Sequence, residues 1–146
     1  MSISKMSHFA IRSTDLGACE KFYTQAMGFT VGPRPPFPFP GLWLYNGDHG
    51  SYDNAVVHIV GIDPNDPEGL KQYLGDRDLS SLQGTGSVDH IAFAATDLNE
   101  MLSRLKKLAV PYRERTVPNL GLHQVFLDDP NGVVIELNYP AEPIAS

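Results

Sequence analysis

Residues 88–98, VDHIAFAATDL, repeat the order of apolar and polar positions of residues 6–16, MSHFAIRSTDL. In each, a short alternating apolar segment, HFAI or HIAFAA, predicts a strand, and the Thr-Asp-Leu that follows predicts a helix start. Aligning His8 with His90, at an offset of 82, also pairs Ala10 with Ala92, Thr14 with Thr96, Asp15 with Asp97 and Leu16 with Leu98, so the chain reads as a duplication. After Asp97, the residues Leu98, Met101, Leu102 and Leu105 recur at helical spacing, with Glu100 at the capping-box position. In the first copy the stripe is Ala18, Phe22 and Ala26, and Gly28 stands where a helix would stop.

Strand-like runs follow each helix: FTVG, GLWLYN and NAVVHIVG in the first copy, then VPYRERT, LHQVFLDD and GVVIELNY in the second. Asp129-Pro130-Asn131-Gly132 predicts a hairpin turn between the last two. The pattern therefore predicts an α+β chain of two tandem βαβββ modules, residues 6–61 and 87–140, read together as a single domain. Residues 62–86 form a polar connector broken by Gly and Pro, with a short helix expected around Leu70 to Leu74, and residues 141–146 form a tail.

Composition narrows the function classes. A chain of 146 residues that is 42% hydrophobic can bury a core without staples. A net charge of −6 with no basic stripe argues against a nucleic-acid partner. No apolar run is long enough for a signal peptide or a membrane span, and the single Cys19 cannot form an internal disulfide, so a cytoplasmic setting is expected.

The candidate chemistry follows the duplication. His8 and His90 occupy equivalent places on the first strand of each copy, and the last strands carry His58 in AVVHIV and Glu136 in VVIELN, after nearly equal intervals of 50 and 46 residues. A carboxylate set among Val133, Val134, Ile135 and Leu137 needs a partner, and a metal ion would be one. Imidazoles with one carboxylate suit Fe(II), Mn(II), Ni(II), Co(II) or Zn(II), and two His with one carboxylate leave positions open for substrate or dioxygen. A set of core histidines paired with Glu136 is the plainer alternative. His49, in NGDHGS, is expected to be solvated, and His123, in GLHQVF, either faces a pocket or has a structural role.

The duplicated βαβββ units, the strand-borne ligands and the closing FLDDPNGVVIELNY resemble the vicinal oxygen chelate superfamily, which includes glyoxalase I, extradiol dioxygenases, methylmalonyl-CoA epimerase and the fosfomycin- and bleomycin-resistance proteins. The resemblance spans about residues 6 to 140 and implies a glyoxalase-like fold with a metal held by first and last strands of both modules: His8, His58, His90 and Glu136. It implies a small-molecule substrate bound through one or two neighbouring oxygens, and a homodimer. Where glyoxalase I and the epimerase carry a carboxylate or carboxamide, this chain has His58, which tilts the expectation toward an extradiol-type dioxygenase with Fe(II) or Mn(II) and with His58 and Glu136 as catalytic groups. A glyoxalase-like lyase or isomerase using Ni(II), Co(II) or Zn(II), and a drug-binding resistance protein, stay open beside it.

The substrate pocket is expected to include Phe37, Phe39, Trp43, Tyr45 and His123. The four aromatics belong to the segment carrying Pro33, Pro35, Pro36, Pro38 and Pro40, whose fixed backbone angles would make an apolar wall rigid. Packing against the neighbouring module or a second subunit is the competing use of these rings. Arg34, Arg113 and Arg115 are expected as solvated cations, with a substrate carboxylate as their alternative partner.

Overall fold

The computed structural model describes residues 5–63, 65, 68–69, 84–86, 88–117 and 121–140. The helix expected around Leu70 to Leu74 lies outside them. The chain divides into two compact units, Met1–Leu82 and Gln83–Ser146.

The first unit runs β1 (Phe9–Ser13), α1 (Leu16–Lys21) continuing into a π-helical turn (Phe22–Ala26), β2 (Thr30–Gly32), β3 (Gly41–Tyr45), a 3-10 turn (Tyr52–Asn54) and β4 (Ala55–Gly61). Asp15 caps α1 by accepting from the Ala18 backbone N–H at 2.9 Å. The helical segment buries Cys19, Phe22, Tyr23 and Ala26, a wider arc than the stripe of Ala18, Phe22 and Ala26. It ends at Gly28, whose φ of 82° is the left-handed conformation such a stop requires. The Phe29 N–H then turns back to the Tyr23 carbonyl at 2.9 Å.

The strands form one sheet in the order β1-β4-β3-β2, with β1 parallel to β4 and the other pairs antiparallel. Along β4 the side chains alternate: Ala55, Val57, Ile59 and Gly61 are buried, while Val56, His58 and Val60 are half-buried. Val57 and Ile59 belong to the core, so His58 belongs to the opposite face, in register with Ala10 on one side and Trp43 on the other.

The second unit repeats the order with β5 (Ile91–Ala94), α2 (Leu98–Lys107), β6 (Arg113–Val117), β7 (Leu122–Asp128) and β8 (Val134–Pro140). Its sheet order, β5-β8-β7-β6 with β5 parallel to β8, matches the first strand for strand. Asp97 caps α2 through the Glu100 N–H at 3.4 Å. The reciprocal half of the expected capping box is absent from this end: Glu100 instead pairs with Arg104 at 2.7 Å, one helical turn on, where a full positive charge outbids a backbone amide.

The hairpin between β7 and β8 forms at Asp129–Gly132. One oxygen of the buried Asp129 carboxylate accepts from the backbone N–H groups of Asn131 and Val133, each at 2.8 Å, and the other from Asn131 Nδ2 at 3.0 Å. Gly132, at φ 78°, supplies the left-handed residue of the turn. Val125, Leu127, Ile135, Leu137 and Tyr139 are the buried apolar residues of these two strands. Among the described residues no helix is long and apolar enough to cross a membrane.

Candidate metal centre

Each unit carries a candidate half-site at equivalent register positions. In the first, Ala10 stands opposite His58 across the β1–β4 pair; in the second, Ala92 stands opposite Glu136 across β5–β8. His8 and His90 each lie two residues before that alanine, so strand alternation sends them toward the same face as the fourth-strand group.

In the first half-site the His58 ring is stacked between two others, with centroids 3.8 Å from His8 and 3.9 Å from Trp43 and planes inclined by 15° and 11°. Its Nε2 lies 3.0 Å from the Ala55 carbonyl oxygen. A carbonyl only accepts, so Nε2 carries the proton and Nδ1 keeps its lone pair. Burial, reinforced by the neighbouring His8 ring and opposed by the Ala55 bond, pushes the His58 pKa down to about 4. His58 is therefore neutral near pH 7, the form that can ligate a metal. The exposed His8 shares a 2.9 Å hydrogen bond between Nδ1 and the Ser7 hydroxyl.

In the second half-site Glu136 is buried. Its Oε1 accepts from Gln124 Nε2 and its Oε2 from Asn138 Nδ2, both at 3.0 Å, and His90 Nε2 lies 3.6 Å from Oε1. On its far side His90 Nδ1 meets Asp89 Oδ2 at 2.7 Å. That bond, with the Glu136 charge adding to it and desolvation opposing it, raises the His90 pKa above its ordinary value. A carboxylate behind an imidazole is also the arrangement that fixes the ring orientation of metal-bound histidines, leaving Nε2 to face the ion.

Taken separately, the first unit offers a neutral imidazole with a bare nitrogen, and the second an imidazole oriented by a carboxylate beside a buried carboxylate, each a donor type that divalent ions take. The structure brings His8 to His58 and His90 to Glu136. Among the described residues no three His, Cys, Asp or Glu side chains form a single group that could hold an ion.

The remaining expected residues divide. Phe37 stacks on Phe39 with centroids 5.2 Å apart and lies 6.2 Å from Trp43, so an aromatic row runs from the proline-rich segment to the histidine stack. Arg34 lies over both phenylalanine rings, at 5.2 and 5.5 Å, and donates to the Phe39 carbonyl. Tyr45 has no exposed surface, and its hydroxyl donates to the Pro33 carbonyl. His49 bonds the Thr30 hydroxyl at 2.7 Å and packs on Tyr45. His123 is in register with Tyr139, whereas Phe126 is in register with Glu136, so His123 projects from the opposite face of its sheet. There it bonds Glu114 and Thr116 and lines a cavity of about 580 Å³ with Tyr139, Pro140 and the start of α2. Gln124, Asn138 and Asp89, which hold the ligand candidates, are the site residues that sequence reasoning missed.

The chain matches the family described as the Glyoxalase/Bleomycin resistance protein/Dioxygenase superfamily over residues 5–137. It is 24% identical over 140 residues to the mitochondrial methylmalonyl-CoA epimerase of Bos taurus, covering 93% of this chain and 74% of that protein. Among solved structures, the trypanothione-dependent glyoxalase I of Leishmania major aligns with a TM-score of 0.67 and 23% identity over 94% of this chain and 88% of that one. The genomically encoded fosfomycin resistance protein of Listeria monocytogenes aligns at 0.63 and 18% over 94% and 93%.

Proposed function

Because the chain belongs to the Glyoxalase/Bleomycin resistance protein/Dioxygenase superfamily, we propose that His8, His58, His90 and Glu136 together hold one divalent metal ion, from one chain or from two copies in a homodimer, and that the protein is an enzyme for a small substrate with neighbouring oxygens. The reading is carried by the register: His58 faces Ala10 as Glu136 faces Ala92, so His58 stands where a fourth ligand would by internal symmetry. The ion would supply Lewis acidity to the substrate oxygens.

Four protein ligands leave two positions on a six-coordinate ion, enough for two neighbouring oxygens and not for dioxygen as well. This favours an isomerase or lyase that moves a proton next to a carbonyl, with Co(II), Ni(II), Mn(II) or Zn(II). Glu136, whose carboxylate keeps a second oxygen when the first binds the ion, is the group that takes and returns the proton. Phe37 and Trp43 would line the substrate side, and the buried Tyr45 would support them.

The extradiol dioxygenase is the second reading, favoured by the aromatic row, which suits a planar diol. It uses His8, His90 and Glu136 as a facial triad for Fe(II) or Mn(II) and keeps His58 as an acid–base residue. Metal content after anaerobic purification separates the two. A stoichiometric ion lost in His8→Ala, His58→Ala, His90→Ala and Glu136→Ala alike supports the four-ligand isomerase or lyase, to be followed by deuterium exchange into α-hydroxycarbonyl compounds. Iron or manganese retained in His58→Ala alone supports the dioxygenase, to be followed by oxygen uptake with catechols. No metal under any reconstitution overturns both and leaves a ligand-sequestering protein. Light scattering tests the homodimer.

A further inference from the structure

The duplicated frame allows the surroundings of one ligand candidate to be compared with those of the other. On β8 the residue two beyond Glu136 on the same face is Asn138, and its partner on β7 is Gln124. On β4 the residue two beyond His58 is Val60, and its partner on β3 is Gly41. A pair of carboxamides thus occurs beside the carboxylate, and at the same two positions beside the neutral imidazole there is a valine and a glycine.

The amides form a closed set with one orientation. Gln124 Nε2 donates to Glu136 Oε1 at 3.0 Å and to Asn138 Oδ1 at 2.9 Å, and Asn138 Nδ2 donates to Glu136 Oε2 at 3.0 Å. Carboxylate oxygens accept, so Glu136 turns Gln124 Nε2 and Asn138 Nδ2 toward itself, and Arg115 fixes the same orientation of Gln124 from the other end: its Nε donates to Gln124 Oε1 at 3.1 Å, a position only an oxygen can fill. Arg115 is itself held over the Phe126 ring, 5.9 Å from its centroid. Each carboxylate oxygen of Glu136 thereby receives one amide hydrogen from within the sheet and retains a lone pair.

We propose that Gln124 and Asn138 are positioning residues that hold the Glu136 carboxylate in one orientation, and that Arg115 acts on the same site through Gln124 alone. This rests on the metal-centre reading for its consequence, although the contact itself does not need a metal. A carboxylate shielded from water needs donors for its charge, and donors fixed in one orientation stop it from rotating away from the ion it must meet.

The test is Co(II) titration of the full-length protein by calorimetry, together with urea denaturation of the metal-free form. Gln124→Leu is expected to weaken Co(II) binding by roughly 10- to 100-fold, as loss of supporting partners does at metal sites. Arg115→Leu is expected to weaken it several-fold in the wild-type background and to have no further effect in Gln124→Leu. That non-additivity separates action through Gln124 from a general loss of structure. Asn138→Leu provides the same readout should Gln124→Leu fail to fold. Equal Co(II) affinity in wild type, Gln124→Leu and Asn138→Leu, or an Arg115 effect that persists without Gln124, overturns the proposal. If the wild type itself takes no Co(II), the metal-centre reading fails, and the urea midpoints decide this one. A Gln124→Leu shift that largely vanishes in a Glu136→Leu background sustains it, and an undiminished shift overturns it.

Discussion

The indole of Trp43 lies 3.9 Å from the imidazole of His58, with their planes 11° apart and the two residues in register on neighbouring antiparallel strands. Cross-strand pairing brings the rings together, and stacking then limits the imidazole to one tilt. Replacing Trp43 with Ala removes a half-buried ring and frees His58, so it should lower stability by about 2 kcal/mol. It should also release bound metal more readily. Trp43→Phe, which keeps a flat ring on the same strand, should recover most of both. Urea denaturation and dialysis against a chelator measure the two effects, and unchanged metal retention in Trp43→Ala would show that the stack does not position His58.

The lowered pKa of His58 gives a pH dependence with a definite sign. Folding depresses the pKa from its ordinary 6.5 to about 4, so the unfolded chain takes up the proton first as pH falls. The contribution of the neutral ring to stability is full above pH 6.5, declines between 6.5 and about 4, and levels off below that. Solvent near the half-buried ring limits this loss to the order of 1–2 kcal/mol. Wild-type and His58→Gln proteins, both metal-free, should therefore differ in the steepness with which their urea midpoints fall from pH 7 to about pH 4.5, with His58→Gln the shallower. Parallel curves would place the ring in water.

The Asp129 carboxylate accepts three hydrogen bonds from the turn it starts, while buried. Asp129→Ala leaves two backbone N–H groups and one amide without their acceptor, which predicts a loss of about 2–3 kcal/mol. Asp129→Asn, able to accept through one oxygen, should lose less. Because β8 carries Glu136 and begins five residues later, at Val134, this loss should also weaken metal binding. A denaturation midpoint for Asp129→Ala equal to wild type would remove the turn from the set of features holding β8 in register.

The elements were legible in the sequence because each had a period or a punctuation mark. Alternation marked β1 and β5, apolar runs marked β4 and β8, helical spacing marked α2, and Asp-Pro-Asn-Gly marked the last hairpin. The two first strands were legible because duplication compares a chain with itself, although β1 starts at Phe9 and β5 at Ile91, so His8 and His90 stand just before the strands expected to carry them. Other features depended on choices that spacing does not encode. Tyr45 lies beyond a register shift between Leu44 and Tyr45, so the expectation that it shares the exposed aromatic wall met a fully buried ring. Glu100 had two partners in reach and took Arg104. Gln124 and Asn138 read as polar interruptions of apolar strands, and only the β7–β8 register shows that both abut Glu136.

His123 is the sharpest case, since the sequence leaves it between pocket and scaffold. One strand position decides the matter: odd-numbered His123, Val125 and Leu127 share a face, and Gln124 and Phe126 share the other with Glu136. The ring bridges Glu114 Oε1 at 3.0 Å and Thr116 Oγ1 at 2.9 Å, so both nitrogens are engaged within the β6–β7 pair. Replacing His123 with Gln should therefore leave Co(II) affinity and metal stoichiometry within about twofold of wild type while lowering stability by about 1 kcal/mol. Glu114→Gln should lower stability by less, because Gln keeps an acceptor oxygen for His123 and the residue replaced is itself exposed. Loss of metal from His123→Gln comparable to that from His90→Ala would mean that the second sheet's ligand face had been assigned to the wrong side.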